Sequence, residues 1–214
     1  CSSGAVRVVN ATSTFTPSPS VTCAALTQVT LTGDSGIQVV DASGLNVSAF
    51  TAKPKLNAAL GDGGDTLTET QNADTIDLGP GGDELILRRG LAANTSIEMG
   101  ASNFDRVTLI GSDADDSLTV ASTGANTTLA HGTSGSPAFV WLVKNVEYVD
   151  VDGGKGNDGL DATSVSAAST IGLTDLDGDE GDDTLAAGSR PSRMDGGTGT
   201  WTSRLSCSGC GLSS

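Results

Sequence analysis

A nine-residue repeat constrains this chain more than any other feature. Residues 60 to 86 divide into LGDGGDTLT, ETQNADTID and LGPGGDELI. Asp65, Asp74 and Asp83 share one position of the frame, and Leu67, Ile76 and Leu85 fall two residues later. The first and third units also share Gly61-x-Gly63 and Gly79-x-Gly81. The middle unit places Thr70 and Asn72 there, and Asn is the residue that best replaces Gly in left-handed backbone. A solvated acidic loop has no reason to keep such a frame. Side chains alternate along a strand, so an Asp-x-aliphatic signature sets an aliphatic at a fixed offset into a core.

The frame returns further along. GGKGNDGLD (Gly153 to Asp161) carries Gly153, Gly154, Gly156, Asp158 and Leu160 at every fixed position of G-G-x-G-x-D-x-U-x, with U a large aliphatic. GDEGDDTLA (Gly178 to Ala186) differs only by Asp179 at the second glycine, and keeps Gly181 and Asp183. GSDADDSLT (Gly111 to Thr119) keeps Asp116 and Leu118. GGTGTWTSR (Gly196 to Arg204) keeps three glycines but has Trp201 in place of the Asp.

These units resemble the RTX (repeats-in-toxin) calcium-binding family of secreted bacterial proteins. Stretches such as IQVVDASGLNVSAF and VEYVDVDGGKGNDGLDA are similar in texture to β-repeat regions of surface-layer proteins and adhesins. The clear motifs cover about a quarter of the chain. The resemblance implies an all-β fold: a right-handed parallel β-helix or β-roll solenoid with calcium in its turns. Calcium takes six to eight oxygen ligands, which backbone carbonyls of glycine turns and a carboxylate can supply. The metal ligands so implied come from the turns of Gly61, Gly63, Asp65, Asp74, Gly79, Gly81, Asp83, Asp116, Gly154, Gly156, Asp158, Gly181 and Asp183. Asp152, Asp177 and Asp179 are nearby further oxygens. In a β-roll each circuit uses two nonapeptides, so Asp65 and Asp83 should stack on one edge and Asp74 on the other. The strict register breaks after residue 86, so less regular, longer circuits are expected, with Asp158 and Asp183 on adjacent ones. The last, degenerate unit is expected as a cap or joint.

Composition agrees with a narrow core. Hydrophobic residues make up 36% and aromatics 3%, too few for a thick core of large side chains. Short β-like runs separated by Gly, Asp and Asn begin at Val29, and no stretch sustains a helical period. The expected organisation is an arm or cap over residues 1–28, a solenoid over 29–206 and a tail over 207–214. The aromatic-rich segment 137–149 reads as one longer strand over a face or end, or as a subunit interface.

The net charge of −15 argues against nucleic acid and anionic membranes as partners and favours cations. No apolar run approaches the roughly 20 residues needed to span a bilayer as a helix. The four cysteines lie at the two ends: Cys1, Cys23, Cys207 and Cys210. An even count in this setting suggests disulfides and an extracellular or cell-surface location. Cys1 has two readings, the lipid-modified start of a lipoprotein or a partner of Cys23, and the second is favoured. Four glycosylation sequons begin at Asn10, Asn46, Asn94 and Asn126.

Enzyme motifs fail their context. GDSG (Gly33 to Gly36) matches a serine-protease nucleophile motif, but the lone histidine, His131, follows it by nearly a hundred residues and reads as a surface turn residue. GKGNDG (Gly154 to Gly159) matches a phosphate-binding loop, but no helix follows. The expectation is therefore a non-enzymatic, secreted structural protein that binds calcium and self-associates through its ends. The alternatives are a calcium-binding module of a larger secreted hydrolase and a carbohydrate-binding module.

Overall fold

The computed structural model describes residues 8–9, 14–15, 23–46, 50–69, 72, 74–88, 95–102, 104–133 and 139–205. The fold is nearly all β, built on two large sheets of mainly parallel strands. A small antiparallel pair, β1 (Val8–Val9) and β2 (Thr14–Phe15), precedes them. Seven strands form one sheet: β4 (Val39–Asp41), β6 (Thr66–Thr68), β8 (Glu84–Arg88), β10 (Arg106–Ser112), β14 (Tyr148–Gly154), β16 (Leu173–Asp177) and β18 (Ser192–Asp195). Ten form the other: β3 (Gln28–Thr32), β5 (Lys55–Ala59), β7 (Thr75–Asp77), β9 (Thr95–Glu98), β11 (Asp116–Thr123), β12 (Asn126–Thr133), β13 (Phe139–Lys144), β15 (Gly159–Val165), β17 (Thr184–Ala187) and β19 (Thr202–Leu205).

From β3 onward the chain alternates between the sheets, and each strand pairs in parallel with the strand one circuit away. The register keeps like residues in rows. Val40, Leu67, Leu85, Val107 and Val149 form one such row, and Leu31, Ala58, Ile76, Ile97 and Val143 another. Strand alternation sends these rows inward, so the core is one side chain deep from each sheet. That geometry explains how so modest an apolar content closes a core.

The ten-stranded sheet is longer because of an insertion. β11, β12 and β13 form an antiparallel meander, with β13 pairing in parallel to β9 and β11 to β15. On the opposite sheet β10 and β14 remain direct neighbours. The meander brings the core's largest side chain, Trp141, whose indole N–H donates to Glu69 Oε2 at 3.1 Å, both groups being buried. Segment 137–149 is thus two strands of different sheets rather than one, and its indole faces the core rather than a partner. His131 is corrected as well: it lies on β12, fully buried. Two short 3-10 turns, Cys23–Ala25 and Ser43–Asn46, complete the described structure. No helix among the described residues is long and apolar enough to cross a membrane.

Candidate functional site: two columns of buried carboxylates

Because each sheet is parallel apart from the meander, every crossing in one direction falls on the same edge. Crossings from the ten-stranded to the seven-stranded sheet define the first edge, and return crossings define the second. The Gly/Asp turns before β4, β6, β8 and β10 all lie on the first edge. Those after β10, β14, β16 and β18 all lie on the second.

Stacking in these turns leaves no room for side chains. A Cβ placed on Gly81 would lie 1.4 Å from the carbonyl oxygen of Gly63, and one on Gly181 would lie 1.5 Å from that of Gly156. The carbonyls therefore project along the stack from one turn toward the next. Gly181 also adopts φ 153°. The GDSG stretch belongs here too. A Cβ on Gly61 would lie 2.3 Å from the Asp34 carbonyl oxygen, so this is the first turn of the stack, with Gln38 in the Asp position.

The aspartates tie the turns together. On the first edge the backbone N–H of Gln38 donates to Asp65 Oδ1 at 2.7 Å, that of Asp65 to Asp83 Oδ1 at 2.7 Å, and that of Asp83 to Asp105 Oδ1 at 2.9 Å. The Asp105 N–H donates to Glu147 Oε2 at 3.1 Å. On the second edge the Asp116 N–H donates to Asp158 Oδ1 at 2.7 Å, and the Asp158 N–H to Asp183 Oδ1 at 2.9 Å. Asp74 also lies on the second edge, where its Oδ1 accepts the Leu56 N–H at 2.8 Å. The aspartates among them are at most 4% exposed, and Glu147 is part-buried.

Each of these carboxylates except that of Asp116 thus has one oxygen engaged in holding the preceding turn. The other oxygen has no hydrogen-bond partner in Asp65, Asp83, Asp105, Asp158 and Asp183. A buried carboxylate with one oxygen unpartnered demands a proton or a cation. Burial accordingly pushes Asp83 up to about 6, opposed by the N–H of Asp65 and reinforced by the charges of Asp105 and Asp65. Asp158 rises to about 7, mainly by burial, opposed by the Asp116 N–H and reinforced by the charges of Asp183, Asp116 and Asp115. Asp183 and Asp105 are raised for the same leading reason. Asp116 differs: its Oδ2 takes the Ser112 N–H and hydroxyl, and its Oδ1 lies 3.1 Å from His131 Nε2. Among the described residues no three His, Cys, Asp or Glu side chains converge on one point, so any cation would need main-chain oxygens as well.

The sequence frame missed several members. Asp105 and Glu147 extend the first column, but the GASNFD turn has one residue too many and the Glu147 turn has no glycine. A second ladder runs along the outside of the second edge with the reverse polarity. There Asn157 N–H donates to Asp115 Oδ1, Asp182 N–H to Asn157 Oδ1 and Thr200 N–H to Asp182 Oδ1, at 2.8 to 2.9 Å. Pairs of adjacent polar residues, such as Asn157-Asp158 and Asp182-Asp183, were the available signal.

The three flanking aspartates stand apart from the columns. Asp152 and Asp177 pair in register on adjacent strands of the seven-stranded sheet, only part-buried, with Asp179 just beyond. Burial and the neighbouring charges of Asp179 and Asp177 raise Asp152 to about 6. In the final turn the Trp201 ring packs where a Cβ on Gly196 would lie, taking the space of the missing carboxylate. Cys1, Cys207, Cys210, Asn10 and Asn94 lie outside the described residues, as do the side chains of Cys23 and Asn46, so the disulfide pairing falls outside them too. Asn126 is exposed at the start of β12. No family model and no curated protein sequence matches the chain.

Proposed function

We propose that this is a secreted calcium-binding structural protein: a right-handed β-solenoid of RTX type that serves as a surface-layer, adhesin or extracellular filament subunit. The observation that carries the reading is the pair of columns of stacked, buried aspartates, in which Asp65, Asp83, Asp105, Asp158 and Asp183 each keep one carboxylate oxygen without a hydrogen-bond partner. All the donors on offer are oxygens, from carboxylates and from glycine carbonyls, which is the set a hard divalent cation prefers. Bound calcium would supply the positive charge that the stacked acids lack. Asp65, Asp83, Asp158 and Asp183 are the carboxylates that would hold it, helped by main-chain oxygens of the Gly61–Gly63, Gly79–Gly81, Gly154–Gly156 and Gly181 turns.

Folding is then coupled to the ion. Without it, burial and mutual repulsion of the column act against the compact state. With it, binding free energy becomes folding free energy. Extracellular modules of this kind commonly bind calcium at about 10⁻⁴–10⁻³ M, so the chain would stay loose in a cell and set outside it. The ends support assembly. Among the described residues β3 and β4 close one end and β18 and β19 the other, each with one strand edge unpaired, and Ile37 and Val39 are more than three-quarters exposed at the first end. Circular dichroism in EDTA and then in millimolar calcium tests the reading. A gain of strand signal on adding the ion is expected, and a spectrum indifferent to chelation refutes it. Sedimentation in calcium at rising concentration tests assembly: growth beyond the monomer is expected, and a persistent monomer refutes it.

A further inference from the structure

We infer that the first edge holds a cation site between the Asp83 and Asp105 turns, flanked by Glu147, where the chain leaves the nonapeptide frame. This rests on the calcium reading above and extends it to residues that the repeat does not mark. Asp105 is fully buried. Its Oδ1 is engaged twice, by the Asp83 N–H at 2.9 Å and by the Ser102 hydroxyl at 3.1 Å, while its Oδ2 has no partner. Asp83, one circuit earlier, also keeps a buried Oδ2 without a partner. Two adjacent turns thus each bring an orphaned oxygen to the same edge.

The surroundings are built for oxygen coordination. The Gly79 carbonyl points across the gap, so that a Cβ on Gly100 would meet its oxygen at 1.7 Å. Ser102 stands where Gly81 stands one circuit before, and its hydroxyl also takes the Phe104 N–H. Phe104 lies against the outer side of Gly82. On the other side, Glu147 accepts the Asp105 N–H, and the N–H groups of Glu147 and Tyr148 both donate to the Asp105 carbonyl. That carbonyl is therefore used, and the Asp105 carboxylate is the free donor. Its burial raises it, and the adjacent charge of Asp105 in turn adds to the rise in Asp83 and Glu147. The chemistry suits a hard divalent cation, calcium first.

Asparagine at position 105 keeps an acceptor for the Asp83 N–H and removes the anion. Calcium titration calorimetry on the full chain near pH 7.5 should give one ion fewer for Asp105→Asn than for the native chain. Asp183→Asn, on the other edge, should lose its own ion and keep this one. Equal stoichiometry for the native chain and Asp105→Asn, with Asp183→Asn still losing one, overturns this site and leaves the general reading standing. No uptake by the native chain overturns both. Terbium gives a second readout, since Tyr148, the single tyrosine, adjoins Glu147. Terbium emission excited through tyrosine should fall in Asp105→Asn. Equal emission from the native chain and Asp105→Asn argues against an ion here. Should Asp105→Asn fail to fold, Glu147→Gln is expected to weaken this ion about tenfold, and unchanged affinity contradicts the assignment.

Discussion

The backbone N–H of Asp158 donates to the carboxylate of Asp183 at 2.9 Å, across 25 residues of chain. The bond makes the acid of one circuit the anchor of the circuit before it. The same relation joins Asp65 to Asp83 across 18 residues and Asp116 to Asp158 across 42. Circuits of very different length thus converge on one geometry at the edge.

Two substitutions at Asp183 separate anchoring from charge. Asp183→Ala strands the buried Asp158 N–H and should cost about 1–3 kcal/mol with or without calcium. Asp183→Asn keeps the acceptor and removes the anion. It should leave the metal-free melting temperature unchanged or higher, and shrink the rise that calcium produces. Thermal melts in EDTA and in calcium distinguish the two, and equal behaviour of both variants would contradict the division of labour.

Turn spacing is set by glycine. Gly181→Ala places a methyl where the Gly156 carbonyl already lies, in backbone at φ 153°. A loss of about 1–3 kcal/mol is expected from overpacking alone. Gly44→Ala, where nothing lies within 4 Å, serves as the control and should stay within about 0.5 kcal/mol of the native protein. Chemical denaturation measures both.

The acids also predict the pH dependence of the metal-free fold. Asp83 at about 6 and Asp158 at about 7 are raised above the ordinary value of 3.8. The folded state therefore binds more protons than the unfolded chain, and its stability falls as pH rises. The contribution is fully present below about pH 4 and is lost as pH climbs through about 6 to 7. In EDTA the melting temperature should be higher at pH 5 than at pH 7.5. Calcium should flatten or invert that slope, because it replaces the proton. A metal-free protein that grows steadily more stable from pH 5 to 7.5 would overturn this account.

The columns on the two edges should load separately. Asp65→Asn with Asp83→Asn should reduce calcium uptake on the first edge, and Asp158→Asn with Asp183→Asn on the second. Neither pair shares a hydrogen bond with the other, so their losses in stoichiometry should add. Calorimetry of the four-fold variant checks this.

Trp141, on β13 of the meander, is the largest buried side chain of the core. Trp141→Ala should cost about 3–5 kcal/mol, read by denaturant titration.

Much of this was legible in the sequence. Asp65 with Asp83 and Asp158 with Asp183 announced their stacking through the repeat, and Leu67, Leu85 and Leu160 their place in the core, because glycine turns and strand alternation leave a local imprint. Asp105 and Glu147 left none. Their positions depend on which circuit lies alongside, and one extra residue or a longer side chain preserves the contact while erasing the spacing. His131 looked like a turn residue because nothing local marks a strand that reverses the chain inside a parallel sheet. The repeat's acids also change edge, from the first (Asp65, Asp83) to the second (Asp158, Asp183), and no local pattern marks it: β10 has Asp105 just before its first residue and Asp116 soon after its last.

The β11–β13 meander carries a rule of parity. It adds two strands, so the chain returns to the edge from which it would otherwise have left, and β14 runs in the direction its sheet requires. A single added strand would reverse everything downstream and deliver Asp158 and Asp183 to the wrong side of the molecule. Insertions here are tolerable only in even numbers of strands, and a designer lengthening this protein would have to count in twos within a sheet or in whole circuits around both.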